Sequence, residues 1–263
     1  MTSTHTKSGI ETLFSLAGKK AIVSGAARGN GKAIASALLD CGAEVLLLDV
    51  LPDALASSMA ELSEKNSLVH SLCVDLSVEK NIQHAANYAL EKMGAIDILV
   101  NNAGISLPQE GTRYSTDNWR KTLSVNLDAA FWLASEVAEQ MKSTGGSIIN
   151  VTSLNAELAF PNNPAYMASK GALRQLGKSM ALDYAQYNIR VNNVGPGYMH
   201  TAMTEKSWND TELYEARLQK IPLGRWGEPE DLGGIIIFLA SQASSYITGQ
   251  DIYVDGGWMI KGL

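Results

Sequence analysis

Cysteine is scarce in this 263-residue chain: only Cys41 and Cys73 occur, and neither belongs to a set spaced for a metal ion. They fall in a helix-like and a strand-like segment, which reads as two buried thiols in a reducing compartment and excludes a disulfide framework. Long apolar runs are missing as well. The longest, Ile235 to Ala240, is far short of the roughly 18 residues that a membrane span needs. The first twenty residues hold no apolar core of the kind a secretory signal carries, so a cytoplasmic protein with no membrane partner is expected. Positive charge is in deficit: 21 Lys and Arg against 27 Asp and Glu leave −6. That argues against a nucleic-acid partner, and it gives no long-range attraction for an anionic substrate, so any such preference needs a local cation. No repeat, linker or low-complexity block divides the chain. A flexible tail is expected over residues 1–12, followed by one domain over 13–263. What remains is an ordinary globular balance, 46% hydrophobic and 18% charged, at a length that buries a substantial core.

Apolar runs of strand length alternate with amphipathic segments of helix length. Strands are expected at 20–24, 44–49, 68–74, 96–101, 147–151, 189–194 and 251–254, with helices at about 30–41, 52–64, 78–93, 117–142, 164–187 and 229–240. Runs of Val, Ile and Leu without polar alternation suit strands covered on both faces. The alternation predicts an α/β fold, a Rossmann-type doubly wound, seven-stranded parallel sheet with helices on both faces. Residues 198–223 interrupt the rhythm with Trp208, Tyr214 and polar residues, and read as a small helical substrate flap. In such sheets ligands bind outside the carboxyl ends of the strands, and chemically capable residues cluster there.

After the first strand comes Gly25-Ala26-Ala27-Arg28-Gly29-Asn30-Gly31, leading into a helix. The glycines let the backbone turn tightly and approach a pyrophosphate, whose charge the helix N-terminus favours. Asp49 ends the second strand, 18 residues past Gly31, where a carboxylate accepts the hydroxyls of an adenosine ribose and repels a 2′-phosphate. This favours NAD over NADP; Arg28, inside the turn, pulls the other way. Asp75 and Leu76 close the third strand, where the carboxylate either meets an adenine amino group or caps the next helix. Asn102, Ala103 and Gly104 follow the fourth strand and let the chain pass close to a cofactor.

Ser153 follows the fifth strand, and Tyr166 comes thirteen residues later with Lys170 one helical turn beyond it, on the same face. Hydride transfer from an alcohol needs a base for the hydroxyl proton, and ketone reduction needs the matching acid. A phenol titrates near 10, too high for that task at neutral pH, and an adjacent ammonium together with a cationic nicotinamide ring would lower it. Ser153 would hold the substrate oxygen. No metal is expected, since His200 has no partner at a ligand spacing.

The glycine turn, Asn101-Asn102-Ala103-Gly104, Asn126, Ser153, Tyr166-x-x-x-Lys170 and Pro196-Gly197-x-x-x-Thr201 together resemble the short-chain dehydrogenase/reductase family, over residues 16 to 258. The resemblance implies that Asn126 completes a catalytic tetrad by holding a water that relays protons to Lys170. It also implies that Lys170 binds the nicotinamide ribose, and that Pro196, Gly197 and Thr201 seat the nicotinamide. Asn30 departs from the family, which usually has an aliphatic residue there; altered affinity is expected. Val254-Asp255-Gly256-Gly257-Trp258 is similar to members that form homotetramers.

Residues 13–19 and 221–232 look like the branch of gluconate 5-dehydrogenase and 2-deoxy-D-gluconate 3-dehydrogenase, which suggests a sugar acid, sugar or polyol. Members of that branch often carry an Arg just after Asn-Asn-Ala-Gly-Ile, suited to a carboxylate. Here Ser106, Leu107 and Pro108 follow Ile105, leaving Arg113, Lys206 or Arg217 as replacements if any of them leaves solvent. Asn155, Glu157, Asn163, Tyr198 and His200 are the expected pocket residues. The alternatives are a 3-oxoacyl-carrier-protein reductase using NADPH, which Asp49 and the negative charge oppose, and a dinucleotide-binding regulator without chemistry, which an intact Ser153, Asn126, Tyr166 and Lys170 oppose.

Overall fold

Parallel pairing runs through all seven strands of the chain, as seen in a computed structural model that describes residues 9–261. The strands are β1 (Lys20–Ser24), β2 (Glu44–Asp49), β3 (Val69–Cys73), β4 (Ile98–Asn101), β5 (Gly146–Val151), β6 (Ile189–Pro196) and β7 (Asp251–Val254). Their order across the sheet is β3-β2-β1-β4-β5-β6-β7. The order reverses between β1 and β4, so the crevice at their carboxyl ends is the switch point where a ligand belongs.

Each central strand is buried on both faces. In β1 and β2, Val23, Val45 and Leu47 face a core shared with Ile34, Leu38 and Leu239. Their neighbours Ile22, Leu46 and Leu48 face a second core with Ile82, Leu133 and Val137. This is why the runs show no polar alternation. The covering helices are α2 (Gly29–Asp40), α3 (Pro52–Lys65) and α10 (Gly233–Ala240) against the first core, and α4 (Glu79–Met93), α6 (Ala129–Met141) and α7 (Pro164–Tyr184) against the second.

Four expectations need correction. Residues 9–12, expected in the tail, begin a short helix, α1 (Gly9–Phe14), whose Phe14 ring lies 6.3 Å from that of Phe238; residues 1–8 lie outside those described. The helix expected over 117–142 is three pieces: α5 (Thr116–Leu123), a π-helical turn at Ser124–Asp128, and α6. The last expected helix opens with a 3₁₀ turn, Pro229–Leu232, before α10. Cys73 is exposed and Cys41 only half-buried, because β3 is an edge strand and Cys41 caps the end of α2. The segment 198–223 is helical as expected, with α8 (Glu205–Trp208) and α9 (Thr211–Leu218). Among the described residues no helix is long and apolar enough to cross a membrane.

Candidate active site

The turn after β1 is shaped by its glycines. Gly25 (φ +66°) lies so close to Ala103 that a Cβ would sit 2.7 Å from the Ala103 Cα. At Gly31 a Cβ would overlap the Gly25 carbonyl, and Gly29 (φ +53°) faces the Thr201 methyl. The glycines are therefore needed for the turn to pack on the loop after β4 and on Thr201. No side chain caps the N-terminus of α2, so its first N–H groups face the crevice free of a side-chain acceptor. An anionic pyrophosphate fits there. The Asn30 Oδ1 is buried with no partner in the protein, a second sign that the turn is built to meet another molecule.

Asp49 joins the turn directly. One carboxylate oxygen accepts from the Ala27 amide at 2.9 Å, and the other accepts from Val50 and Leu51 at 2.8 and 3.0 Å. Arg28 is exposed, and its guanidinium has no partner among the described residues. Asp75 is not the cap of α4, a place held by Val78; its carboxylate accepts from the amide and hydroxyl of Ser77. The Leu76 side chain belongs to the second core, which leaves only its backbone for a cofactor. Asn102 is a staple, its Nδ2 donating to the carbonyls of Ser24 and Gly25. Ser24, absent from the expected set, is the hub of that junction. Its buried hydroxyl accepts from the amides of Asn102 and Ala103.

The tetrad residues converge at the ends of β4 and β5. Asn126 sits in the π-helical turn, fully buried. Its amide brackets Ile105, accepting from the backbone N–H at 2.8 Å and donating to the carbonyl at 2.9 Å, with a further bond to Ser169 Oγ at 3.1 Å. A Cβ on Gly104 would lie 3.5 Å from Asn126 Oδ1 and 3.6 Å from Lys170 Nζ, so both groups flank this one glycine. The Lys170 ammonium donates to the Val151 carbonyl at 2.7 Å and lies 5.8 Å from the centre of the Tyr166 ring. Burial brings its pKa from 10.5 down to about 8. Ser153 follows β5 beside them and caps the 3₁₀ turn Leu154–Ala156, its hydroxyl bonded to Asn155 through both Oδ1 and the backbone N–H.

Tyr166 corrects one expectation. Burial raises its pKa above 10, a hydrogen bond from Ser153 offsets part of this, and the nearby Tyr198 adds to the rise. The neighbouring ammonium alone does not overcome desolvation; the sequence expectation joined it to a cationic nicotinamide ring, whose charge would act in the opposite direction when bound.

One wall of the cleft is aromatic: Tyr198 was expected in the pocket, its partners Phe160, Trp226 and Trp258 were not. Tyr198, following Pro196 and Gly197 at the end of β6, packs 4.9 Å from Trp258, 5.2 Å from Trp226 and 6.3 Å from Phe160. The Phe160 amide reaches the Met167 sulfur, next to Tyr166. Gly197 is needed where the chain runs against Asp255. His200 stacks on Trp226 at 5.5 Å and holds Glu228 through Nδ1 at 2.6 Å, which makes it an anchor of the flap. Glu157 is taken by Arg174 at 2.7 Å, so it is not the free pocket carboxylate expected. Asn163 donates to Ser106 Oγ at 2.8 Å while its Oδ1 stays buried and unpartnered. Among the described residues no cluster of His, Cys, Asp or Glu is arranged to hold a metal ion.

A family profile described as Enoyl-(Acyl carrier protein) reductase matches residues 25–259. The chain is 39% identical over 256 residues to 2-dehydro-3-deoxy-D-gluconate 5-dehydrogenase of Bacillus subtilis, covering 94% of this chain and 97% of that one. It is 37% identical over 246 residues to gluconate 5-dehydrogenase of Gluconobacter oxydans, covering 93% and 96%. A solved gluconate 5-dehydrogenase from Burkholderia cenocepacia, in complex with NADP and tartrate, superposes with a TM-score of 0.92 at 34% identity, covering 96% of this chain and all of that one.

Proposed function

The chain belongs to the short-chain dehydrogenase/reductase family, and from that premise we propose that this oxidoreductase of CH–OH groups interconverts a secondary alcohol and a ketone on a sugar acid, and prefers NAD(H). The observation that carries the chemistry is the chain of neighbours in which Asn126 and Lys170 flank Gly104, the Tyr166 ring lies 5.8 Å from the Lys170 ammonium, and Ser153 bonds Tyr166. The glycine turn, the N-terminus of α2, Asp49, Asn102, Ala103, Gly104, Pro196, Gly197 and Thr201 are the residues that would hold the dinucleotide, which supplies the hydride acceptor or donor when bound.

In oxidation Tyr166 takes the proton of the substrate hydroxyl at its phenolic oxygen, and in reduction it returns one. Ser153 bonds the same substrate oxygen and keeps it in line. Lys170, buried and near its own titration point, stabilises the phenolate and passes protons outward past Asn126. The substrate class rests on the Bacillus and Gluconobacter relatives and on a cleft that offers hydroxyls and amides at Ser153, Asn155 and Asn163. NAD preference turns on Asp49, a carboxylate held against the glycine turn by the Ala27 amide, which would repel a 2′-phosphate; Arg28 and the NADP of the Burkholderia relative pull the other way. A cytoplasmic place of action fits the free thiols.

The test is a screen of aldonates, polyols, aldoses and β-ketoacyl esters with NAD+/NADH and NADP+/NADPH, read as absorbance of the reduced cofactor. Highest kcat/KM for an aldonate or its keto form, with NAD(H) ahead, is the expected outcome. A β-ketoacyl ester ahead with NADPH would contradict it.

A further inference from the structure

A sugar acid brings a carboxylate into a protein of net charge −6, and the residues directly after Ile105 (Ser106, Leu107, Pro108) offer it no arginine. Three cations were candidates to take its place, and their surroundings separate them. Arg113 is exposed in a loop and Lys206 is exposed on α8. Arg217, on α9, is half-buried. Its guanidinium carbon lies 4.9 Å from the centre of the Tyr198 ring. One donor reaches the Leu213 carbonyl at 3.3 Å, while Nε is buried with no acceptor. No carboxylate among the described residues pairs with it, in contrast to Arg174 and Arg225, which are held by Glu157, Asp251 and Asp231.

Taking a cation out of water without a counter-charge is costly, and stacking on a phenol returns only about 0.5–2 kcal/mol. A guanidinium has five N–H donors in a planar fork that matches a carboxylate. Here the described residues supply an acceptor only at the Leu213 carbonyl, while Nε is buried without one. The fold nonetheless holds the group in place. Tyr214 and Arg217 are three residues apart on one face of α9. The Tyr214 ring stacks on Trp226 at 5.4 Å while Arg217 covers Tyr198. Tyr198 in turn packs 6.3 Å from Phe160, whose amide reaches the sulfur of Met167 beside Tyr166. The flap thus carries an unpaired cation to the wall of the cleft.

Resting on the sugar-acid reading above, we propose that Arg217 is the carboxylate-binding residue of the substrate pocket, presented by the flap across Tyr198. It would pair with the acid end of the substrate and so select aldonates over polyols of the same length.

The experiment compares D-gluconate with D-glucitol on wild type, Arg217→Gln and Arg217→Lys, taking the ratio of the two kcat/KM values so that the active fraction cancels. The ratio should fall about 10- to 100-fold in Arg217→Gln, mainly through KM for the acid, and Arg217→Lys should recover part of it. A ratio unmoved in Arg217→Gln would overturn the assignment of Arg217 alone. If wild type oxidised glucitol but neither oxidised gluconate nor was inhibited by it, the sugar-acid reading would fall and this inference with it.

Discussion

Lys170 is the residue where stability and chemistry conflict most openly. Its ammonium is buried against the Val151 carbonyl, and its pKa falls from 10.5 to about 8. The folded state therefore binds fewer protons than the unfolded one between about pH 8 and 10.5, and stability rises with pH across that window. At neutral pH holding the charged form costs the fold about 3 kcal/mol. Lys170→Met should be inactive yet at least as stable as wild type at pH 7, and wild type should gain on it as pH approaches 10; parallel chemical denaturation series at several pH values read this. Wild type losing ground to the variant with rising pH would contradict the assignment. Tyr166 and Lys170 were legible from their spacing. The sign of the Tyr166 shift was not, because desolvation depends on what the fold stacks around the phenol, and neither Tyr198 nor Ser153 is near it in sequence.

At the scale of elements, a row of buried amides crosses half the sheet. Asn101 on β4 donates to Asn150 on β5, Asn150 donates to Asn193 on β6, and Asn193 donates to Asp251 on β7, at 3.1, 3.1 and 2.7 Å. The pairs are in register, Asn101 with Asn150, Asn150 with Asn193 and Asn193 with Asp251. The row ties β4, whose end forms the switch point, to β7, whose Asp251 is fixed by Arg174 and Lys178. Asn150→Leu would leave the Asn193 carbonyl oxygen and one Asn101 donor bond unmet in a dry interior. It should destabilise the protein by about 2–4 kcal/mol without abolishing activity, measured by urea unfolding. The strands themselves could be read from their Val, Ile and Leu runs. The amide row and the π-helical turn around Asn126 could not: each Asn alone looks like an ordinary polar residue, and Ser124-Val125-Asn126 holds no Gly or Pro to mark a break.

Several large apolar side chains among the described residues stand in solvent. Trp119 and Trp132 are partly exposed on α5 and α6, and Leu182, Tyr246 and Ile260 are exposed around α7 and the C-terminal end. The edge strand β7 is only half-buried. Exposed apolar side chains of this size are suited to contacts between copies, and with the likeness of residues 254–258 to tetrameric members we propose a homotetramer. Light scattering should give four times the 28.2 kDa chain mass; a stable monomer would contradict the proposal. At this scale the sequence was most informative, because domain number and layer order follow from periodicity. The flap, tied down by contacts of Trp226 with Tyr198, His200 and Tyr214, depended on partners that only the fold brings together.

Tyr166 as the group that moves the proton is the centre of the proposed chemistry. The most direct measurement sets steady-state turnover of the preferred substrate by Tyr166→Phe beside its binding of NADH, followed by fluorescence. A loss of about 10³-fold or more in kcat with NADH affinity within a few-fold of wild type is the result predicted. Turnover near the wild-type rate would contradict it.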